Sequence, residues 1–232
     1  MQDYLERFYR GLAEWKGSLV KPSHLSEPNA KEYLNKLARA GMVERVMWGW
    51  YWIPDKIEDF WGFLRKDKNF KAVAGQTAAS FWNNDFIHRN VYLVRVKDPS
   101  YGRALKAFAA SHGWDVVVEA VGDEQYKRFE KVLVESLEDC VIDCMQNWAF
   151  ADAFAVFYEN RKEVSFRSLA ERSYWKRISK TDVRVRQALS YGCYRLNELS
   201  SSRIFPVRKS NLEDSFVRRE IDEAVEKVAE LG

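Results

Sequence analysis

Seven side chains between residues 29 and 48 carry the chemistry of a nucleic-acid contact: Asn29, Lys31, Asn35, Lys36, Arg39, Arg45 and Trp48. Asn and Arg can pair with base edges through two hydrogen bonds at once, while Lys and Arg neutralise phosphate. The first five sit in a helical pattern from Pro28 to Ala40 whose other side is Ala30, Tyr33, Leu34 and Leu37. That spacing gives one apolar stripe and leaves the polar residues on the outward face. A helix of this kind in a major groove would bring Asn29, Asn35 and Arg39 nearest to bases. Lys31, Lys36 and Arg45 would then lie on phosphates.

A second basic group comes late in the chain. Residues 161–209 hold 13 Lys/Arg against four Asp/Glu, a local surplus of +9 in a chain whose net charge is +3. Lys176, Arg177, Lys180, Arg184 and Arg186 follow directly on Tyr174 and Trp175. A solvated helical face, a second DNA contact and a dock for an acidic protein surface all fit this composition.

Catalytic chemistry finds few candidates. A restriction-like nuclease needs an Asp on one strand, then a carboxylate followed two positions later by Lys, to bind Mg²⁺ and activate water. Asp115 and Glu119 lie in a strand pattern, but residue 121 is Val. No phosphate-binding Gly-rich loop and no Gly-x-Ser-x-Gly turn occurs. His24, His88 and His112 are scattered without ligand spacing. Cys140 and Cys144 lie four apart in a helical pattern and are expected in the core, and three cysteines cannot all pair. Glu138, Asp139 and Asp143 share one helix, where capping and the helix dipole account for the first two. The expectation is a chain without catalytic residues, metal or cofactor.

The elements that must position the basic face come first in the chain. Tyr4, Leu5, Phe8, Leu12 and Trp15 recur at three and four, predicting a helix over 3–15 that Gly17 ends. Pro22 to Leu25 suits a brief second helix. After the helix that Gly41 closes, Met42–Val46 and Trp50–Ile53 form a hairpin around Met47-Trp48-Gly49, with Gly49 supplying the positive φ of the turn. Helix, short helix, helix and hairpin in this order predict a winged helix-turn-helix over residues 1–56. A protein-interaction module could use the same elements.

Residues 57–232 predict a larger mixed domain. Helices are expected at 57–64, 75–82 and 99–112, and strands at 70–74, 90–96, 114–118 and 129–133. Ser136-Leu137-Glu138-Asp139 reads as a capping box opening a long apolar helix to about Tyr158, and Ser179-Lys180-Thr181-Asp182 as another opening a helix to Tyr191. Further helices are predicted at 165–172 and 211–231. The fold class is α+β, with a small sheet and a helical C-terminal part.

Three stretches carry a family likeness: LNKLARAGMVERVMWGWYWIP, AGQTAASFWN at 74–83 and VLVESLEDCVIDCM at 132–145. In this order they resemble the abortive-infection antitoxin regulators (the AbiEi-like group of type IV toxin–antitoxin systems). The likeness covers about residues 18–195 and aligns Ser136, Glu138 and Asp143 with a family run. It implies a transcriptional regulator that binds operator DNA at its own promoter and opposes a nucleotidyltransferase-like toxin. No apolar run approaches the roughly 18 residues of a membrane span, and the N-terminus lacks a signal-peptide core. The expected location is cytoplasmic.

Overall fold

Helix α1 (Gln2–Gly11) runs into a 3-10 turn, Leu12–Trp15, and then a two-residue strand, β1 (Leu19–Val20). A second 3-10 turn over Pro22–His24 precedes helix α2 (Ala30–Arg39). Gly41, at φ +71°, ends α2, and strands β2 (Glu44–Met47) and β3 (Trp50–Trp52) form a hairpin around Gly49, at φ +77°. The three strands lie in the order β1-β3-β2, all antiparallel. The computed structural model describes residues 2–83, 91–200 and 203–231.

Alternation along β3 decides how these first elements are held. Tyr51 turns inward among Leu12, Val20, Leu34, Leu37, Val43 and Ile53, the core that binds α2 to the sheet. Trp50 and Trp52 point the opposite way, as successive strand residues must. Their rings meet helix α5 (Pro99–Ser111) and the residue after it: Trp50 lies 5.7 Å from Tyr101, and Trp52 lies 5.1 Å from Phe108 and 5.6 Å from His112. The back of β3 is therefore packed, while Glu44 and Arg45 of β2 and Trp48 at the tip are exposed.

The middle of the chain adds helix α3 (Phe60–Lys66), strand β4 (Lys71–Val73), helix α4 (Gly75–Trp82) and strand β5 (Val91–Val96). Strand β6 (Asp115–Ala120) follows α5 and pairs in parallel with β5, so β5-α5-β6 is a crossover unit, while β4 and β5 are antiparallel. Strands β7 (Tyr126–Phe129) and β8 (Val132–Glu135) complete a sheet ordered β6-β5-β4-β8-β7. The strand expected over 129–133 is interrupted: Phe129 ends β7 and Val132 begins β8, and Glu130 and Lys131 form the turn between them, with Glu130 at φ 51°. Asn90, expected in β5, lies outside the described residues, as does His88.

Helices fill the rest: α6 (Leu137–Gln146), α7 (Phe150–Glu159), α8 (Phe166–Arg172), α9 (Val185–Leu199) and α10 (Ser215–Leu231). Only the N-cap half of the box expected at Ser136 is present. Its Oγ accepts the Asp139 N–H at 3.2 Å and donates to Asp139 Oδ2 at 2.8 Å, but the Ser136 N–H pairs with the Gln125 carbonyl at 2.7 Å, so the reciprocal bond is missing. The long helix expected to Tyr158 is two helices. Trp148 adopts φ 63° between them and donates its indole N–H to the Ser179 carbonyl at 3.0 Å. The helix expected from Ser179 begins only at Val185, because Lys180 sits at φ 61° and the Ile178 N–H pairs with the Val183 carbonyl across a tight turn. Among the described residues the architecture is mixed α+β, with ten α-helices and two small sheets.

Contacts divide the chain into two units differently from a cut at residue 56. The first takes residues 1–73, 90–122 and 128–133, and the second takes 74–89, 123–127 and 134–232. In the second unit, the two stretches at 74–83 and 132–145 meet. Glu135, fully buried, accepts the Gly75 N–H at 2.8 Å, and the Cys140 thiol donates to the Gly75 carbonyl at 3.5 Å. A carboxylate at a helix start is favoured by the exposed N–H groups there. Cys140, Cys144 and Cys193 are free and buried.

Candidate nucleic-acid interface

Helix α2 and the β2–β3 hairpin position the predicted contact residues. Lys31, Asn35 and Arg39 follow one another at intervals of four, so they share a line along α2. Trp48 stands at the hairpin tip with 75% of its surface exposed. Lys31 Nζ lies 5.6 Å from its ring, and the Arg45 guanidinium lies 4.9 Å from it. Cation–π contact thus joins a helix residue, a strand residue and the tip into one cluster. Sequence reasoning named all three but had no signal for their mutual contact.

The other four residues are placed less uniformly. Asn29 is the N-cap residue of α2 and exposed, and its side chain makes no cap hydrogen bond. Lys36 pairs with Glu32 at 2.5 Å, one turn back, and lies 5.9 Å from the Tyr33 ring. Arg39 is exposed in the last turn. Asn35 is half-buried, and its Oδ1 accepts the Tyr51 hydroxyl at 2.8 Å. Bidentate pairing with adenine needs both ends of the Asn amide. In this geometry one end is committed to Tyr51 of β3, so Asn35 acts first as a brace between helix and hairpin.

Two further groups stabilise the same region. Lys21 pairs with Asp98 at 2.8 Å and lies 5.3 Å from the Trp50 ring, and this ammonium holds the Asp98 carboxyl well below the usual carboxylate range. His24 stacks on Trp15 at 5.6 Å and meets the edge of Trp50 at 5.4 Å. Its Nδ1 is buried without a hydrogen-bond partner among the described residues. Burial, aided by Lys21, pushes its pKa down.

The later basic group forms a separate hollow of about 420 Å³ in the second unit, lined by Tyr174, Arg177, Asp182, Arg184, Arg186 and Gln187. Arg184 lies 5.6 Å from the Tyr174 ring and 5.7 Å from that of Trp175, which is 79% exposed. Arg186 lies 5.1 Å from Tyr174. Arg177 is tied to Asp182 at 2.8 Å, and Lys176 to Asp123 at 3.2 Å, which draws the Asp123 carboxyl below its ordinary range. Lys180 is exposed at its turn. The structure therefore brings Arg177, Arg184 and Arg186 to one hollow and leaves Lys176 and Lys180 outside its wall. Arg172, in the same basic segment, is structural: it grips buried Asp139 through Nε at 3.2 Å and Nη2 at 2.5 Å.

The nuclease candidates do not converge. Asp115 and Glu119 both lie on β6, four residues or roughly 13 Å apart along the strand. One Mg²⁺ with ligand distances of about 2 Å cannot bridge that gap. Glu119 is instead 3.4 Å from Arg95, its register partner on β5. Among the described residues, no three His, Cys, Asp or Glu side chains gather as a metal site. No helix among them is long and apolar enough to cross a membrane. Comparisons of the chain with protein-family models, with curated proteins and with solved structures find no match.

Proposed function

We propose that residues 1–56 form a winged helix-turn-helix that binds double-stranded DNA and that the chain is a transcriptional regulator. The observation that carries the reading is the Lys31–Trp48–Arg45 cluster, which sets an exposed aromatic beside two cations at the junction of α2 and the hairpin tip. The element order supports it, since a helix flanked by a projecting hairpin suits a groove with the hairpin beside it. Arg39 and Asn29 are the residues best placed for base edges, and Lys31, Lys36 and Arg45 for phosphates. By the resemblance to abortive-infection antitoxins, the operator is the chain's own promoter and the protein partner a nucleotidyltransferase-like toxin. The Arg177–Arg184–Arg186 hollow is then a second basic contact, for DNA or for that partner.

The exposed Trp48 and the commitment of Asn35 to Tyr51 favour one rival, a winged helix that binds protein rather than DNA. Fluorescence anisotropy on duplex DNA at several salt concentrations separates the two. DNA binding predicts a log–log salt slope that falls by roughly 1.8 in the Lys31→Ala/Arg45→Ala double variant, about 0.9 for each phosphate no longer neutralised. Equal affinity and slope in parent and variant would refute the groove model. Purification from the source cell, with bound DNA and protein identified, tests the antitoxin role: without a nucleotidyltransferase in the eluate, the regulator reading stands alone.

A further inference from the structure

A second cationic concavity lies in the first unit, away from the α2–hairpin cluster in sequence and built from different elements. It has a volume of about 440 Å³ and is walled by the segment 64–71 and by residues 128 and 131–133 of the β7–β8 hairpin. Six cations line it, Arg65, Lys66, Lys68, Lys71, Arg128 and Lys131, against one carboxylate, Asp67.

That carboxylate does not neutralise the outer cations, because it is turned into the protein. Asp67 is 6% exposed and accepts the Leu19 N–H at 3.0 Å, the Asn69 N–H at 2.7 Å and the Tyr101 hydroxyl at 3.4 Å. It also holds the buried Lys71 ammonium at 3.3 Å, which in turn donates to the Asp67 carbonyl and, at 3.2 Å, to that of Asn69. Asn69 completes the knot by donating to the Leu19 carbonyl at 2.6 Å. The wall is thus fixed from within, and a rigid wall loses little freedom when a ligand arrives.

The outer cations are held unequally. Lys66 donates to Asp55 at 2.7 Å and to the Lys56 carbonyl at 2.6 Å, and Lys68 lies 3.2 Å from Glu14 and 4.9 Å from the Trp15 ring, whereas Arg65 has a looser, exposed pair with Glu130 at 3.6 Å. Exposed pairs of this kind contribute little and exchange readily for a multivalent anion. Arg128 and Lys131 are exposed on the facing wall. The volume suits a small molecule rather than a duplex, whose backbone meets ridges and grooves.

We propose that this concavity is a binding site for a small ligand bearing two or more phosphate groups, clamped between Arg65 on one wall and Arg128 and Lys131 on the other. It is independent of the DNA-binding reading and uses none of the same residues. The test is calorimetric titration of the full chain with inorganic triphosphate, in parent, Arg128→Ala/Lys131→Ala and Arg184→Ala/Arg186→Ala. The expected result is saturable one-to-one binding that weakens with salt, drops roughly tenfold or more in the first double variant and is unchanged in the second. Circular dichroism checks that both variants keep the parent fold. Absence of binding at millimolar triphosphate overturns the proposal, as does equal binding in the first variant or loss in the second alone. Should a short DNA duplex compete with triphosphate in the parent and lose affinity only in the first variant, the site reads a nucleic-acid backbone and the small-ligand proposal falls.

Discussion

Replacing Gly192 by Ala tests the packing of the helical unit at its tightest point. A Cβ built on Gly192 of α9 lies 2.0 Å from Phe154 Cζ, 2.5 Å from Cε1 and 2.8 Å from Cε2, so the ring of α7 points end-on at this backbone. Carbon atoms pack at about 3.5–4.0 Å, so the ring would have to retreat by roughly 1.5 Å. Phe154 is 0% exposed, enclosed by the core on every side. Overpacking of this kind costs about 1–3 kcal/mol, and so severe an overlap belongs at the top of that range. Alanine's better helix propensity returns about 1 kcal/mol. The net expectation is a loss of about 2 kcal/mol, which in a chain of this size lowers the melting midpoint by roughly 4–8 °C. Urea and thermal unfolding followed by circular dichroism measure it. Phe154→Leu in the same chain should relieve the clash, so the double variant loses at least about 1 kcal/mol less than the sum of the singles. A Gly192→Ala protein as stable as its parent, or an additive cycle, would show that the two helices do not meet this way.

Other outcomes follow from single contacts. His24 has its pKa lowered in the folded chain, chiefly by burial, so it stabilises the fold above about pH 6.5 and that contribution is lost as pH falls through the folded value. His24→Phe keeps the ring between Trp15 and Trp50, so its melting temperature should decline less than the parent's between pH 7 and pH 5; parallel curves would contradict this. Arg172→Ala leaves buried Asp139 without its guanidinium and should cost about 1–3 kcal/mol in urea unfolding, the lower range reflecting the 29% exposure of the Arg172 side chain. A loss below about 0.5 kcal/mol would mean that Ser136 and the Gln125 N–H alone satisfy the carboxylate. Trp48→Ala removes a side chain that is mostly in solvent, so the unfolding midpoint should stay within error while duplex affinity falls. A parallel drop in stability would place Trp48 in the packing of the hairpin instead.

What the residues determined by themselves is whatever depends on near neighbours in the chain. The apolar spacing of Ala30, Leu34 and Leu37 made α2 and chose its buried side, and Gly41 and Gly49 ended the helix and turned the hairpin because both take positive φ there. Ser136 announced α6 for the same local reason, a side-chain oxygen within reach of the N–H three residues on. The basic character of 161–209 needed only counting.

Only the tertiary structure decided what meets what. Helical periodicity runs unbroken through 137–158, yet the chain turns at Trp148, whose indole is drawn to Ser179 and whose ring packs against Phe216 at 5.5 Å, both far along the chain. Alternation at 129–133 likewise looked like one strand, but Glu130 at φ 51° folds β8 back beside β7, and alternation alone does not mark where a strand reverses. The same holds for the candidate interface. Composition named Lys31, Arg45 and Trp48, whereas their contact, and the bond that takes Asn35 away from base reading, depends on how α2 packs on β3. A spacing rule describes one element at a time. Chemistry between elements is set by the core that joins them, here Tyr51 against Leu34 and Leu37.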